Sequence, residues 1–166
     1  MKEIFLLMLL IIIGSVVSAP ATHHDEYPVS TPPLTQGIFP CSNCHAGIEV
    51  NAKKRELKDE HTSIKLHHAE SDRWCLDCHN SADRDKLKLA NGDNIDFTES
   101  YLLCGQCHGN IYRDWKAGIH GKRTGYFKGG KRIYFLCVNC HNPHDPKFKP
   151  IKPEPPPKIP GSTHGR

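Results

Sequence analysis

The chain is predicted to fold as a few short α-helices and mostly irregular coil, with little β-structure, packed around material other than its own side chains. Three observations predict this. Only 37% of the 166 residues are hydrophobic, and many of those sit in one N-terminal block. All eight cysteines fall into four copies of one pattern, Cys41-Ser-Asn-Cys44-His45, Cys75-Leu-Asp-Cys78-His79, Cys104-Gly-Gln-Cys107-His108 and Cys137-Val-Asn-Cys140-His141, with none left over. The copies start at 41, 75, 104 and 137, a loose internal repeat too short for each unit to enclose a core.

The N-terminal block sets both the address and the energetics. Residues 4–17 (IFLLMLLIIIGSVV) follow Lys2 and lead to Ser18, Ala19 and Ala21, the pattern of a secretory signal peptide. Its apolar run falls short of the roughly 20 residues that a spanning helix needs. Cleavage after Ala21 avoids Pro20 just beyond the cut, so the signal is expected to cover 1–21 and the mature chain to begin at Thr22, in the periplasm of a Gram-negative-type bacterium. The remaining 145 residues hold few large aliphatic side chains. Ordering that much backbone costs on the order of 100 kcal/mol, and so sparse a set of apolar residues is not expected to offset it by burial.

The cysteine pattern identifies what fills the interior. In C-x-x-C-H the two thiols form thioethers to haem vinyl groups, and the following histidine places an imidazole on the iron. Zinc ribbons also pair C-x-x-C units, but zinc coordination has no need of a histidine directly after every second cysteine. A disulfide framework suits the oxidising compartment, yet a bridge inside C-x-x-C closes a very small loop and staples little. Four covalently attached haem c groups are therefore expected on Cys41, Cys44, Cys75, Cys78, Cys104, Cys107, Cys137 and Cys140, with His45, His79, His108 and His141 as proximal iron ligands. About 36 residues per haem cannot wrap each macrocycle separately, so the haems are expected to pack together as a shared core.

Each iron has a second axial position. Methionine is excluded there, because Met1 and Met8 leave with the signal. Outside the motifs stand His23, His24, His61, His67, His68, His120, His144 and His164. His144 follows His141 by three residues, and fully extended chain spans at most roughly 11 Å over that interval. The tether through Cys137 and Cys140 shortens this further, so His144 is expected to ligate a neighbouring haem, with Pro143 and Pro146 stiffening its presentation. His120 lies between Gly118 and Gly121, which would let backbone approach a flat ring. Two of His61, His67 and His68 are expected to ligate, His61 with His67, and His68 is the substitute for either. His23, His24 and His164 lie near the mature ends, where chains are usually loose, and are expected to be solvated. Bis-histidine ligation leaves no site on the iron for substrate and, without methionine, keeps the potential low. That points to an electron carrier rather than an enzyme.

The remaining segments are read as follows. Residues 22–37 form an extended, proline-containing lead-in, and 38–146 the haem-binding domain. "AGIEVNAKKRELKDEH" (46–61) reads as a mostly polar helix with a solvated face. Residues 80–103 are a charged connector with a turn at Asn91-Gly92, and "GYFKGGKRIYFLC" is a hairpin or loop around Gly129-Gly130. The proline-dense tail, 147–166, is expected to run as an extended strap that presses Phe148 and Ile151 on a partner. Four haems bring about eight propionate charges if all ionise, which outweigh the formal +4 of the chain. A nucleic-acid partner is therefore not inferred from the basic sequence.

These motifs, with histidines preceding some of them and "CHNPH", make residues 38–150 resemble the class III (cytochrome c3-like) tetrahaem cytochromes, a type of small multihaem cytochrome c. More narrowly, "WKAGIHGKRTG" followed by "CVNCHNPHDPKFKPIKPEPPP" resembles the tetrahaem subunits of quinol-oxidising complexes in anaerobic respiration. The resemblance implies axial roles for His120 and His144 and partners among iron–sulfur and polytopic quinone-reactive membrane subunits. It differs from compact class III members in lacking any C-x-x-x-x-C-H variant. The expected function is electron transfer between a quinone-linked membrane complex and another redox protein; the alternatives are a freely diffusing shuttle and a reductase with one open iron. Deleting 147–166 separates the first two. A complex subunit is expected to leave the membrane fraction when its strap is removed, whereas unchanged membrane association excludes the strap as the docking element.

Overall fold

The computed structural model describes residues 27–148 and 155–156. The signal segment, His23, His24, His164 and nearly all of the strap lie outside the described residues. Four short helices alternate with two minimal hairpins: α1 (Ser42–His45), α2 (Cys75–Cys78), β1 (Leu87–Lys88), β2 (Asn94–Ile95), α3 (Ser100–Gly105), α4 (Gly109–Ala117), β3 (Arg123–Thr124) and β4 (Ile133–Tyr134). Single 3₁₀ turns at Phe97–Glu99 and Cys137–Asn139 precede α3 and hold the fourth motif.

The polar helix expected over 46–61 does not form. After α1 the chain runs without helix through this segment, with almost every residue exposed. Local side-chain bonds take the backbone instead: Asn51 Oδ1 accepts from the Lys53 amide at 3.0 Å, and Arg55 Nη1 donates to the carbonyls of Asn51 and Lys53. A helix stable in a protein draws most of its stability from an apolar face packed on something. Ile48, Val50 and Leu57 of this stretch join no hydrophobic cluster among the described residues.

Helix α4 is the longest at nine residues. Trp115 and Ile111 lie one turn apart, and Gly118, at φ +74°, closes the helix in the left-handed conformation that favours glycine. The Gly118 amide donates to Trp115, and the amides of Ile119 and His120 both donate to the Asp114 carbonyl. A Cβ at Gly118 would lie 1.8 Å from Arg123 Cζ. The glycine thus serves the helix end and the close passage of Arg123, a different use from the approach to a ring expected at this position.

Among the described residues, six large aliphatic or aromatic side chains are buried, in two separate clusters. Leu87, Leu89 and Ile95 of the first hairpin pack with Phe97, Leu102 and Leu103. Tyr101, Trp115 and Leu136 form the second, joined by Tyr27, Val29, Tyr112 and Tyr134. Trp115 stacks on Tyr101 at 4.8 Å and donates its indole N–H to the Phe135 carbonyl at 2.8 Å. Residues 29–31 of the lead-in contribute directly: Val29 bridges Tyr134 in parallel, and Ser30 Oγ and the Thr31 carbonyl bond to the Asn139 side chain inside the fourth motif.

The second cluster therefore clamps α3, α4 and the fourth motif together. Leu136 is 1% exposed, and replacing a buried leucine by alanine costs about 2–5 kcal/mol. Leu136→Ala is expected to lower the unfolding midpoint accordingly in denaturant titrations of the purified protein.

Candidate cofactor sites: four facing histidine pairs

The four motifs share one local geometry. In each, the amide of the histidine donates to the carbonyl of the first cysteine: His45 to Cys41 at 3.0 Å, His79 to Cys75 at 2.9 Å, His108 to Cys104 at 2.9 Å and His141 to Cys137 at 2.8 Å. One helical turn thus sets two thiols three residues apart and carries the imidazole to the next position. This holds although the turn is α-helical in the first two motifs, follows the end of α3 in the third and is 3₁₀ in the fourth. None of the eight cysteines is paired in a disulfide.

Each motif histidine faces a second histidine. His45 and His61 have ring centroids 6.0 Å apart and planes 6° from parallel. His79 faces His144 at 6.2 Å and 11°, His108 faces His68 at 5.8 Å and 22°, and His141 faces His120 at 6.3 Å and 15°. An iron between two imidazoles requires two metal–nitrogen bonds of about 2 Å and about 1 Å more from each nitrogen to its ring centre, hence about 6 Å between centroids. All four gaps fit that length. Among the described residues no group of three or more His, Cys, Asp or Glu side chains converges to hold an ion.

His67 is a correction. It faces no motif histidine; its ring is exposed and its Nδ1 lies 3.1 Å from Glu70 Oε2. His68 takes the position opposite His108 instead. The cause is the return of the chain after the fourth motif: the His67 amide donates to the His144 carbonyl at 2.7 Å, and His68 Nδ1 bonds the Pro143 carbonyl at 3.0 Å. That bond occupies one ring nitrogen and leaves Nε2 free for a metal, the usual way a ligand imidazole is oriented. His141 is held likewise, with Nδ1 on the Pro146 carbonyl at 3.1 Å. His61 reaches its place through a left-handed backbone, φ +59°, which a non-glycine residue adopts at a cost.

The pairs adjoin in sequence-numbered order. The first and second meet where Ser42 N donates to Asp85 Oδ1 at 3.1 Å and where Arg84 lies within electrostatic reach of both His45 and His79. The bonds from His67 and His68 to the 143–144 segment join the second and third pairs. The third and fourth meet where Cys137 and Val138 pack against the cluster of Tyr101, Trp115 and Leu136, with the Cys104 and Cys137 thiols within electrostatic reach of each other. Open clefts flank two motif histidines. One of about 310 Å³ beside His45 has Ile48, Val50 and Arg84 in its walls, and one of about 430 Å³ beside His108 has Cys107 and Ile111. Both clefts have mixed walls, with Ser42, Ser81 and Asp83 also lining the first and Asn110 the second.

In the first two pairs, His45, His79 and His144 are held toward the neutral form that a metal ligand needs. Burial, helped by the charges of His144 and Arg84, pushes His79 down from its ordinary 6.5 to about 4. Burial also lowers His144, and burial, Arg84 and His61 lower His45. Comparison of the chain with family models, with curated proteins and with solved structures returns no match.

Proposed function

We propose that the chain is an exported tetrahaem c-type cytochrome that transfers electrons between a quinone-linked membrane redox complex and another redox protein. The observation that carries this reading is the set of four facing histidine pairs, each joining a C-x-x-C-H histidine to a second imidazole across about 6 Å. Haem c supplies reversible one-electron chemistry when bound, at low potential with two imidazole ligands.

The chain's own residues position and insulate. The eight cysteines anchor each macrocycle through the one-turn motif. His45, His79, His108 and His141 bind from one side, and His61, His144, His68 and His120 from the other. The Pro143 and Pro146 carbonyls fix the tautomers of His68 and His141. Because every motif histidine already faces a partner ring, no pair offers the open position that a reductase needs. The adjoining order of the pairs suits a relay that takes an electron at one end and delivers it at the other, whether the protein sits in a complex or diffuses between partners.

The reading is tested on purified oxidised holoprotein by haem quantification and electron paramagnetic resonance. Four low-spin haems per chain, unaffected by carbon monoxide when reduced, are expected; the near-parallel ring planes should give rhombic rather than highly anisotropic signals. His68→Ala should convert one haem of the four to a form that binds carbon monoxide, while His67→Ala should leave the spectra unchanged. A chain purified without haem from a host that matures c-type cytochromes, or one that keeps a ligand-binding haem, would exclude the carrier reading.

A further inference from the structure

The hairpin between the two histidines of the fourth pair has a composition that this function does not use. From residue 116 to 144 there is no Asp or Glu, while Lys116, Lys122, Arg123, Lys128, Lys131 and Arg132 bring six positive charges. With a formal total of +4, the rest of the chain carries −2. Every residue from 124 to 133 is exposed. At the tip, Tyr126 is 85% and Phe127 94% exposed. Nearer the base, Lys122 and Arg123 lie over the rings of Phe135 and Tyr134 at 5.2 and 5.5 Å. A turn from the Gly129 amide to the Tyr126 carbonyl at 3.2 Å shapes the tip, and Gly129 and Gly130 sit at φ of +106° and +110°.

We propose that this tip docks on an anionic lipid surface, with Tyr126 and Phe127 entering the interface and Lys128, Lys131 and Arg132 meeting the headgroups. Two adjacent aromatic side chains so fully in water are costly unless something covers them. Aromatic rings settle at the boundary between headgroups and acyl chains, and Lys and Arg add attraction to anionic lipid. A two-residue aromatic tip is small for the packed hydrophobic centre of a protein–protein interface. It suits a fluid surface, which asks for depth and charge rather than a matching shape. The hairpin begins three residues after His120 and ends three before Cys137, so docking would hold the His120–His141 pair beside the membrane. That consequence rests on the haem reading; the lipid contact does not.

The experiment is co-sedimentation of the purified holoprotein with vesicles of phosphatidylcholine alone or mixed with phosphatidylglycerol, with pelleted protein read on gels so that the result does not depend on haem. Binding to the mixed vesicles alone is expected, weakened by salt. Tyr126→Ser with Phe127→Ser should lower the affinity about tenfold or more, and neutralising Lys128, Lys131 and Arg132 to Gln about fivefold for each cation removed. Unchanged visible spectra and circular dichroism establish that the variants fold. Absence of binding to the mixed vesicles overturns the proposal. So does an aromatic variant that binds like wild type, which would mean adsorption by charge alone, or retention by an acidic membrane protein with no binding to pure lipid.

Discussion

The described structure depends on a gap of about 6 Å held open between two imidazoles, four times over. One imidazole of each pair comes from a motif that needs only one helical turn to form. The other is delivered from 16, 65, 40 or 21 positions away in sequence, for the pairs built on His45, His79, His108 and His141. Regular structure is a poor means of meeting four such distances in so short a chain. The fold uses irregular coil pinned at particular points: a left-handed residue at His61, a carbonyl from Pro143 behind His68, a glycine-closed helix end before His120, and a tight turn from Asn142 to Asp145 around His144.

The two hydrophobic clusters act as spacers between motifs more than as a single core. Tyr101, Trp115 and Leu136 fasten the third motif to the fourth, and Leu87, Leu89 and Ile95 fix the connector that follows the second. Neither cluster is large, and aliphatic residues lining the clefts beside motif histidines, Ile48 and Ile111 among them, are exposed. Under the proposed function those residues would meet porphyrin faces. Binding and folding would then be coupled, as in small metallo-domains whose ligands come together only in the folded state.

The parts of the site legible in sequence were those with short-range causes. C-x-x-C-H is a local pattern, and the three-residue reach of His144 is a local limit; in the structure that histidine lies opposite His79, not His141. The errors share the opposite character. His67 and His68 are adjacent, equally polar and equally distant from every motif, and only the docking of residues 143–144 turns one toward His108 and the other toward Glu70. The charged run at 46–61 has helix-forming residues but joins no hydrophobic cluster among the described residues. Helix α4 carried a readable signal in the Ile111–Trp115 spacing ahead of Gly118, and the first hairpin in the Leu87–Leu89 alternation before Asn91-Gly92.

The sequence by itself determined the eight thiols paired as C-x-x-C, the four imidazoles beside them and the shortage of apolar side chains, because each follows from covalent spacing or composition. Only the tertiary structure decided which distant histidine faces which motif and in what order the pairs adjoin. Those choices rest on hydrogen bonds and packing between segments up to 109 residues apart, and no local pattern encodes where such segments meet.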